Sequence, residues 1–225
     1  WNTWKERLLG NLYDATRLSL RRGLEPRPDA EALAAEARAA VRAELCGLLV
    51  DIDDAALERV FAEFPDESFL RYRPEQLVTQ ARAIIAHGEP TKPLVLVRPQ
   101  GEAFEVFVYS PDRDGLFATL TATLDRLGFS VAAARIVPST SGMSLDTFQL
   151  LPLHDSPELP EVRAAHASLV LTEMLLRPAA ALHPPRRAMP VALKHFHVAP
   201  RVEVHAMGDG ARTQLVLIGN DRPGL

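Results

Sequence analysis

The chain has 225 residues, 47% of them hydrophobic and 24% charged, with a formal net charge of -4; this is enough apolar content for one or two packed domains and excludes disordered and fibrous classes. The negative balance leaves no clustered basic footprint for nucleic acid. Charges interrupt every apolar stretch well short of the roughly 18 residues a membrane span requires, and no basic-then-apolar signal segment opens the chain, so neither nucleic acid nor a membrane is an expected partner.

The first third is helical in pattern. Trp4, Leu8, Leu12, Ala15 and Ser19 recur at helical spacing, with Gly23 as a stop before Pro26. Pro28-Asp29 suits the start of a second helix, whose stripe is Leu33, Ala37, Val41, Leu45 and Leu49. Within it Cys46, the one cysteine, cannot make an internal disulfide; it reads as a small buried residue of a protein in the reducing cytoplasm. Asp53 is an expected N-cap for a short helix carrying Leu57, Val60, Phe61 and Phe64 and ended by Pro65. Pro74 opens the next helix, with Leu77, Ala81, Ile84 and Ile85 inward and Gly88 closing it.

Glu89-Pro90-Thr91-Lys92-Pro93 has no helical period and predicts a domain boundary. Beyond it Leu94–Val97 and Phe104–Ser110 are strand-like runs joined by a hairpin turn at Pro-Gln-Gly-Glu. In the second run Phe104, Val106 and Val108 alternate with Glu105, Phe107 and Tyr109, giving two distinct faces. Asp112-Arg113-Asp114-Gly115 breaks the strand, and Leu116, Phe117, Leu120, Leu124 and Leu127 form a helical stripe that stops at Gly128. Phe129–Val137 and Met143–Leu151 read as a hairpin about the turn Ser139–Gly142. Pro160–Leu176 reads as a helix with Val162, His166, Leu169, Val170 and Leu176 in register.

Four prolines and Arg186-Arg187 within 177–190 describe a surface loop, and the run from Val191 to Val204 is expected to return and close the sheet. The order from Phe104 onward is β-α-β-β-α-β, the split βαβ arrangement of ferredoxin-like folds. The expected class is therefore α+β. Residues 1–88 form a helical segment, 94–198 a first βαββαβ module, and 199–225 the opening of a second.

That second module rests on an internal repeat. Asp112-Arg113-Asp114-Gly115-Leu116 recurs 109 residues later as Asp221-Arg222-Pro223-Gly224-Leu225, and under the same offset Val106, Val108 and Gly101 align with Leu215, Leu217 and Gly210. With Leu225 falling just after a turn motif and Trp1 opening the chain, both ends read as cut, as in a fragment of a longer protein.

A strand-to-helix loop of this composition presents backbone N–H groups at a helix start, where the dipole favours an anion such as the carboxylate of a free amino acid. Gly115 permits close backbone approach, Asp112 can receive an ammonium, and Arg113 can contact a neighbouring chain or an acidic group. The other reading is that Asp112 or Asp114 only caps the helix. No catalytic set stands beside this loop. His195 and His197 share a strand face without a third metal ligand, no phosphate-binding G-x-x-x-x-G-K-[ST] loop occurs, and Phe107 and Tyr109 alone do not make an RNA-stacking surface.

Phe107-Val108-Tyr109-Ser110-Pro111-Asp112-Arg113-Asp114-Gly115-Leu116-Phe117, with Leu124-Asp125-Arg126-Leu127-Gly128 and Leu145-Asp146-Thr147-Phe148, resembles the first C-terminal ACT domain of the bacterial PII uridylyltransferase/uridylyl-removing enzymes. Trp1-Asn2-Thr3-Trp4-Lys5, Leu12-Tyr13 and Arg21-Arg22-Gly23 resemble the end of that family's HD region, and Phe69-Leu70-Arg71 with Pro74-Glu75 the segment before its ACT pair. The resemblance implies a regulatory region of an enzyme that uridylylates the PII signal protein when nitrogen is scarce and deuridylylates it when glutamine is abundant. Glutamine is the implied effector. Magnesium, the nucleotidyltransferase site and the HD metal ligands belong to the catalytic domains, which this region would contact, and no catalytic residue falls within it. The family's ligand loop maps onto Asp112, Arg113, Asp114, Gly115 and Leu116, and again onto Asp221, Arg222, Pro223 and Gly224. Asp114 stands where the family usually has proline, adding negative charge beside the carboxylate site; the second copy keeps proline and is the stronger glutamine site.

Overall fold

The computed structural model describes residues 9, 10, 12, 13, 16, 17, 30–49, 53–89, 91–155, 157–177, 198–206 and 213–219. The chain divides into two compact units, Trp1–Ala181 and Leu182–Leu225. The described residues between 9 and 17 are helical; the rest of that expected first helix, with Gly23, lies outside the described residues.

In the first unit the helical layer comprises α1 (Ala30–Leu48), α2 (Asp54–Glu63), α3 (Asp66–Arg71) and α4 (Pro74–His87). The expected caps are present. Asp53 accepts a hydrogen bond from the Ala55 N–H, Pro74 sits in the first turn of α4, and Gly88 closes that helix at φ 66°. The helix α3 was not expected. Pro65 supplies its extended N-cap, Asp66 and Glu67 favour its start, and it turns Phe69 onto Phe61 (ring centroids 5.9 Å) and Phe64 (6.3 Å) under the Arg38 guanidinium. Cys46 is exposed rather than buried: the inward stripe of α1 is Ala34, Val41 and Leu45, and one residue beyond Leu45 the helix has turned about 100° away from the core.

The sheet contains β1 (Leu94–Gln100), β2 (Ala103–Pro111), β3 (Phe129–Pro138) and β4 (Met143–Pro152), with α5 (Leu116–Arg126) between β2 and β3 and α6 (Pro160–Leu176) after β4. The strand order is β1-β2-β4-β3 and every neighbour is antiparallel, a ferredoxin-like α+β sheet. The expected hairpin of β1 with β2 forms, and it holds the position beside β2 that the run from Val191 to Val204 was expected to close; of that run 191–197 lie outside the described residues, and Arg201–Ala206 pairs with a strand of its own in the second unit. A two-residue turn with Gly101 at φ 66° makes the β1–β2 pairing local, and a local hairpin closes at far lower entropic cost than a strand returning across 177–200.

Both faces of the sheet are covered, so Ala103–Ser110 are buried throughout. On one face Val95, Val97, Phe104, Val106, Val108, Phe148 and Leu150 meet Leu116, Leu120 and Leu124 of α5 and Ala164, Ala167, Leu171 and Leu175 of α6. On the other, Phe107, Tyr109, Met143 and Leu145 join the core of α1–α4. That second face also holds a polar anchor. The Glu105 carboxylate, 3% exposed, pairs with Arg98 (2.8 Å) and accepts hydrogen bonds from Gln149 (2.9 Å) and from Gln76 of α4. The inward face of α6 differs from the expected register, because Val162, Leu169 and Leu176 point outward. Apolar residues run all around this helix, and the alanine side lets it approach the sheet most closely.

In the second unit β5 (Arg201–Ala206) and β6 (Thr213–Ile218) form an antiparallel hairpin. Its pairs Val202↔Leu217 and Val204↔Leu215 set Leu217 and Leu215, the repeat counterparts of Val108 and Val106, opposite valines as in the first unit, with the first strand of the hairpin shifted by two residues from the 109-residue offset. The residues of that face, helix-covered in the first unit, are 59–70% exposed in the second.

Candidate functional site

The candidate loop leaves the central strand β2 at Pro111 and enters α5 within four residues. Three backbone hydrogen bonds shape it: the Asp112 N–H donates to the Gly142 carbonyl (3.0 Å), Leu116 to Arg113 (3.1 Å) and Thr119 to Gly115 (2.9 Å). Gly115 is the N-cap residue at φ 75° and ψ 9°, and a Cβ there would meet no atom within 4 Å. The glycine is therefore required by backbone conformation and not by space. Leu116, 4% exposed, anchors the first turn in the core.

No side chain caps α5, so neither Asp112 nor Asp114 acts as the helix cap that the composition also allowed. Both are exposed. The start of the helix consequently faces outward with its dipole open to an anion. Arg113 reaches across to α6, where its guanidinium donates to the Arg177 carbonyl (3.1 Å) at the end of that helix, a favourable place for a cation. It staples two helices of one chain.

One further residue stands beside the loop that the motif did not include. Asp146 of β4 lies on the helix-covered face opposite Val108 and is 1% exposed. Ser110 and Ser144, both 3% exposed, pair across the same end of the sheet, and the Ser144 hydroxyl donates to the Asp146 carboxylate. Burial pushes the Asp146 carboxyl up to about 6; the Ser144 hydrogen bond opposes this and the nearby charge of Asp112 adds to it. The sequence signal was an aspartate in phase with Phe148 and Leu150, where an apolar residue is the rule.

Asp112 through Leu116 are thus brought together with Asp146 at one end of the sheet. Asp221, Arg222, Pro223 and Gly224 lie outside the described residues, as do His195, His197, Arg186 and Arg187. Among the described residues no group of three metal-ligating side chains occurs and no helix is long and apolar enough to cross a membrane.

A family model described as the fifth domain of the uridylyltransferase GlnD matches residues 29–83, from the start of α1 into α4. The bifunctional uridylyltransferase/uridylyl-removing enzyme of Xanthomonas oryzae pv. oryzae is 44% identical over 228 residues, covering 100% of this chain and 26% of the relative. That of Xanthomonas campestris pv. campestris is 44% identical over 229 residues, with the same shares. The Stutzerimonas stutzeri enzyme is 33% identical over 236 residues, covering 100% of this chain and 25% of its own length. The chain spans about a quarter of the length of the curated relatives it matches. Aligned along its entire length with about a quarter of these enzymes, and matching the fifth-domain model in its helical layer, the chain is homologous to that part of the bifunctional uridylyltransferase/uridylyl-removing enzymes.

Proposed function

We propose that this chain is the glutamine-sensing regulatory region of a cytoplasmic enzyme that uridylylates and deuridylylates the PII signal protein. Glutamine places its carboxylate at the start of α5 and its ammonium toward the acidic side of the loop, and occupancy shifts the balance between the two reactions. The observation that carries this reading is the pairing of an uncapped helix start, entered through left-handed Gly115, with a buried acid, Asp146, whose ionisation is held back by its surroundings. An amino-acid zwitterion supplies the missing cation and anion together. The repeated loop at Asp221–Gly224 provides a second site of the same kind, with proline where the first has Asp114. Catalytic residues and magnesium reside in other domains of the enzyme.

The test is an assay of the full-length enzyme with PII and UTP across a glutamine series. Uridylyl transfer should fall and uridylyl removal rise with glutamine, and Gly224→Ala should blunt both responses. Rates indifferent to glutamine in a folded enzyme would remove the sensor reading.

A ligand-free adaptor is the second reading, favoured by the outward row Val162, Leu169 and Leu176 on α6. It predicts that glutamine leaves the melting temperature unchanged while the monomer–dimer balance shifts with concentration.

A further inference from the structure

The candidate loop is physically joined to the helical layer at one point. Glu63, the last residue of α2, accepts hydrogen bonds from the hydroxyls of Ser139 (2.5 Å) and Ser141 (2.6 Å), and its charge lies near the Tyr109 hydroxyl, which burial first and then Glu63 hold protonated to higher pH. Thr140 adds a longer bond to the Ala62 carbonyl (3.4 Å). Ser139 and Ser141 belong to the β3–β4 turn, whose Gly142 carbonyl receives the Asp112 N–H, and Tyr109 lies three residues before Asp112 on β2. The path from Glu63 to the loop therefore runs through the β3–β4 turn and the Gly142–Asp112 hydrogen bond.

A carboxylate at a helix C-terminus stands against the helix dipole. Converging hydroxyls offset that cost, and hydrogen bonds to a charged acceptor are among the stronger ones in proteins. Apolar packing is non-directional and tolerates small slides; these bonds do not. At the other end of β2, the Glu105–Arg98–Gln76–Gln149 cluster, built on the buried Glu105 carboxylate, fixes sheet and α4 together. The sheet is thus pinned at the end remote from the loop and held by an exposed, hydroxyl-built contact at the loop end.

We propose that the Glu63 clasp, formed by Ser139 and Ser141, transmits occupancy of the Asp112–Gly115 loop to the helical layer. This rests on the sensor reading and names the route by which that site is coupled to the rest of the enzyme. A ligand that draws the Asp112 backbone moves Gly142 with it, and the turn carries the displacement to the end of α2.

The test is hydrogen exchange on the full-length enzyme, with and without saturating glutamine, alongside calorimetry of the same samples. In the wild type, glutamine should slow exchange both in the 139–142 turn and in α2, the latter by about 5- to 150-fold, the usual span of allosteric coupling. In Ser139→Ala/Ser141→Ala the heat of binding and the slowing at the turn should persist while the slowing in α2 is lost. Glu63→Gln, which keeps an acceptor and removes the charge, should reduce it partway, and serves alone if the double variant does not fold. Slowing of α2 that survives in the variants, or a wild type that binds glutamine with no change in α2, overturns the clasp. A folded wild type with no binding heat overturns the sensor reading itself, and the clasp with it.

Discussion

At Gly115 and Asp146 local chemistry is set against stability, and each yields a measurable cost. Gly115→Ala forces an L-residue into the left-handed region, so it should destabilise the first unit by about 1–2 kcal/mol in denaturant titration even though its Cβ has open space. Asp146 works through pH. Its folded value near 6 lies above the ordinary 3.8, so between these values the folded chain holds a proton that the unfolded chain releases, and stability falls as pH rises through that window. Asp146→Asn, which can still accept from Ser144, escapes the penalty. Its advantage should be absent near pH 4 and grow to about 3 kcal/mol by about pH 8, at about 1.4 kcal/mol per pKa unit; a gain independent of pH would show that the carboxylate is not held back. The glycine was legible in the sequence because only one conformation suits a strand entering a helix in four residues. The aspartate's burial was not, since an acid within a strand gives no sign of which helices cover its face.

At the level of elements, capping and punctuation carried through: Asp53, Pro74, Gly88, Gly101, Gly115 and Gly128 all stand at the boundaries their chemistry dictates. Where apolar residues surround an element, the pattern lost its power to orient it. In α6 the sequence favours Val162, Leu169 and Leu176 as the inner face, and the sheet instead takes Ala164, Ala167, Leu171 and Leu175, because small side chains allow closer packing. Two substitutions separate these registers by thermal or denaturant unfolding. Leu171→Ala should cost about 2–5 kcal/mol, whereas Leu169→Gln should stay within about 0.5 kcal/mol. The source of the fourth strand was equally hidden, as β1 and a strand returning after α6 fit the same antiparallel slot beside β2.

For the whole molecule, the β2 strand is the organising feature. One face, under α5 and α6, builds the sheet's core, its other face builds the joint with α1–α4, and its end becomes the candidate loop. The second unit holds a hairpin whose second strand follows the 109-residue repeat, and there the apolar residues Val202, Val204, Leu215 and Leu217 stand exposed. Burial of apolar surface is worth about 25 cal/mol per Å², and in the first unit α5 and α6 supply that burial to the corresponding face. The repeat was legible as far as the described residues reach: Leu215 and Leu217 stand in β6 as Val106 and Val108 stand in β2, while the second loop, Asp221–Leu225, lies outside the described residues. How the helical layer meets the sheet was not legible, because it depends on Glu63 and Glu105 finding partners about 30 to 80 residues away in sequence.

The central claim, that the loops of this region bind glutamine, is tested most directly by calorimetric titration of the full-length enzyme with glutamine, repeated for Asp146→Asn and Gly224→Ala. Saturable heat in the wild type, with affinity weakened in both variants while their circular dichroism stays native, is the predicted result. A folded wild type that gives no heat with glutamine would contradict it.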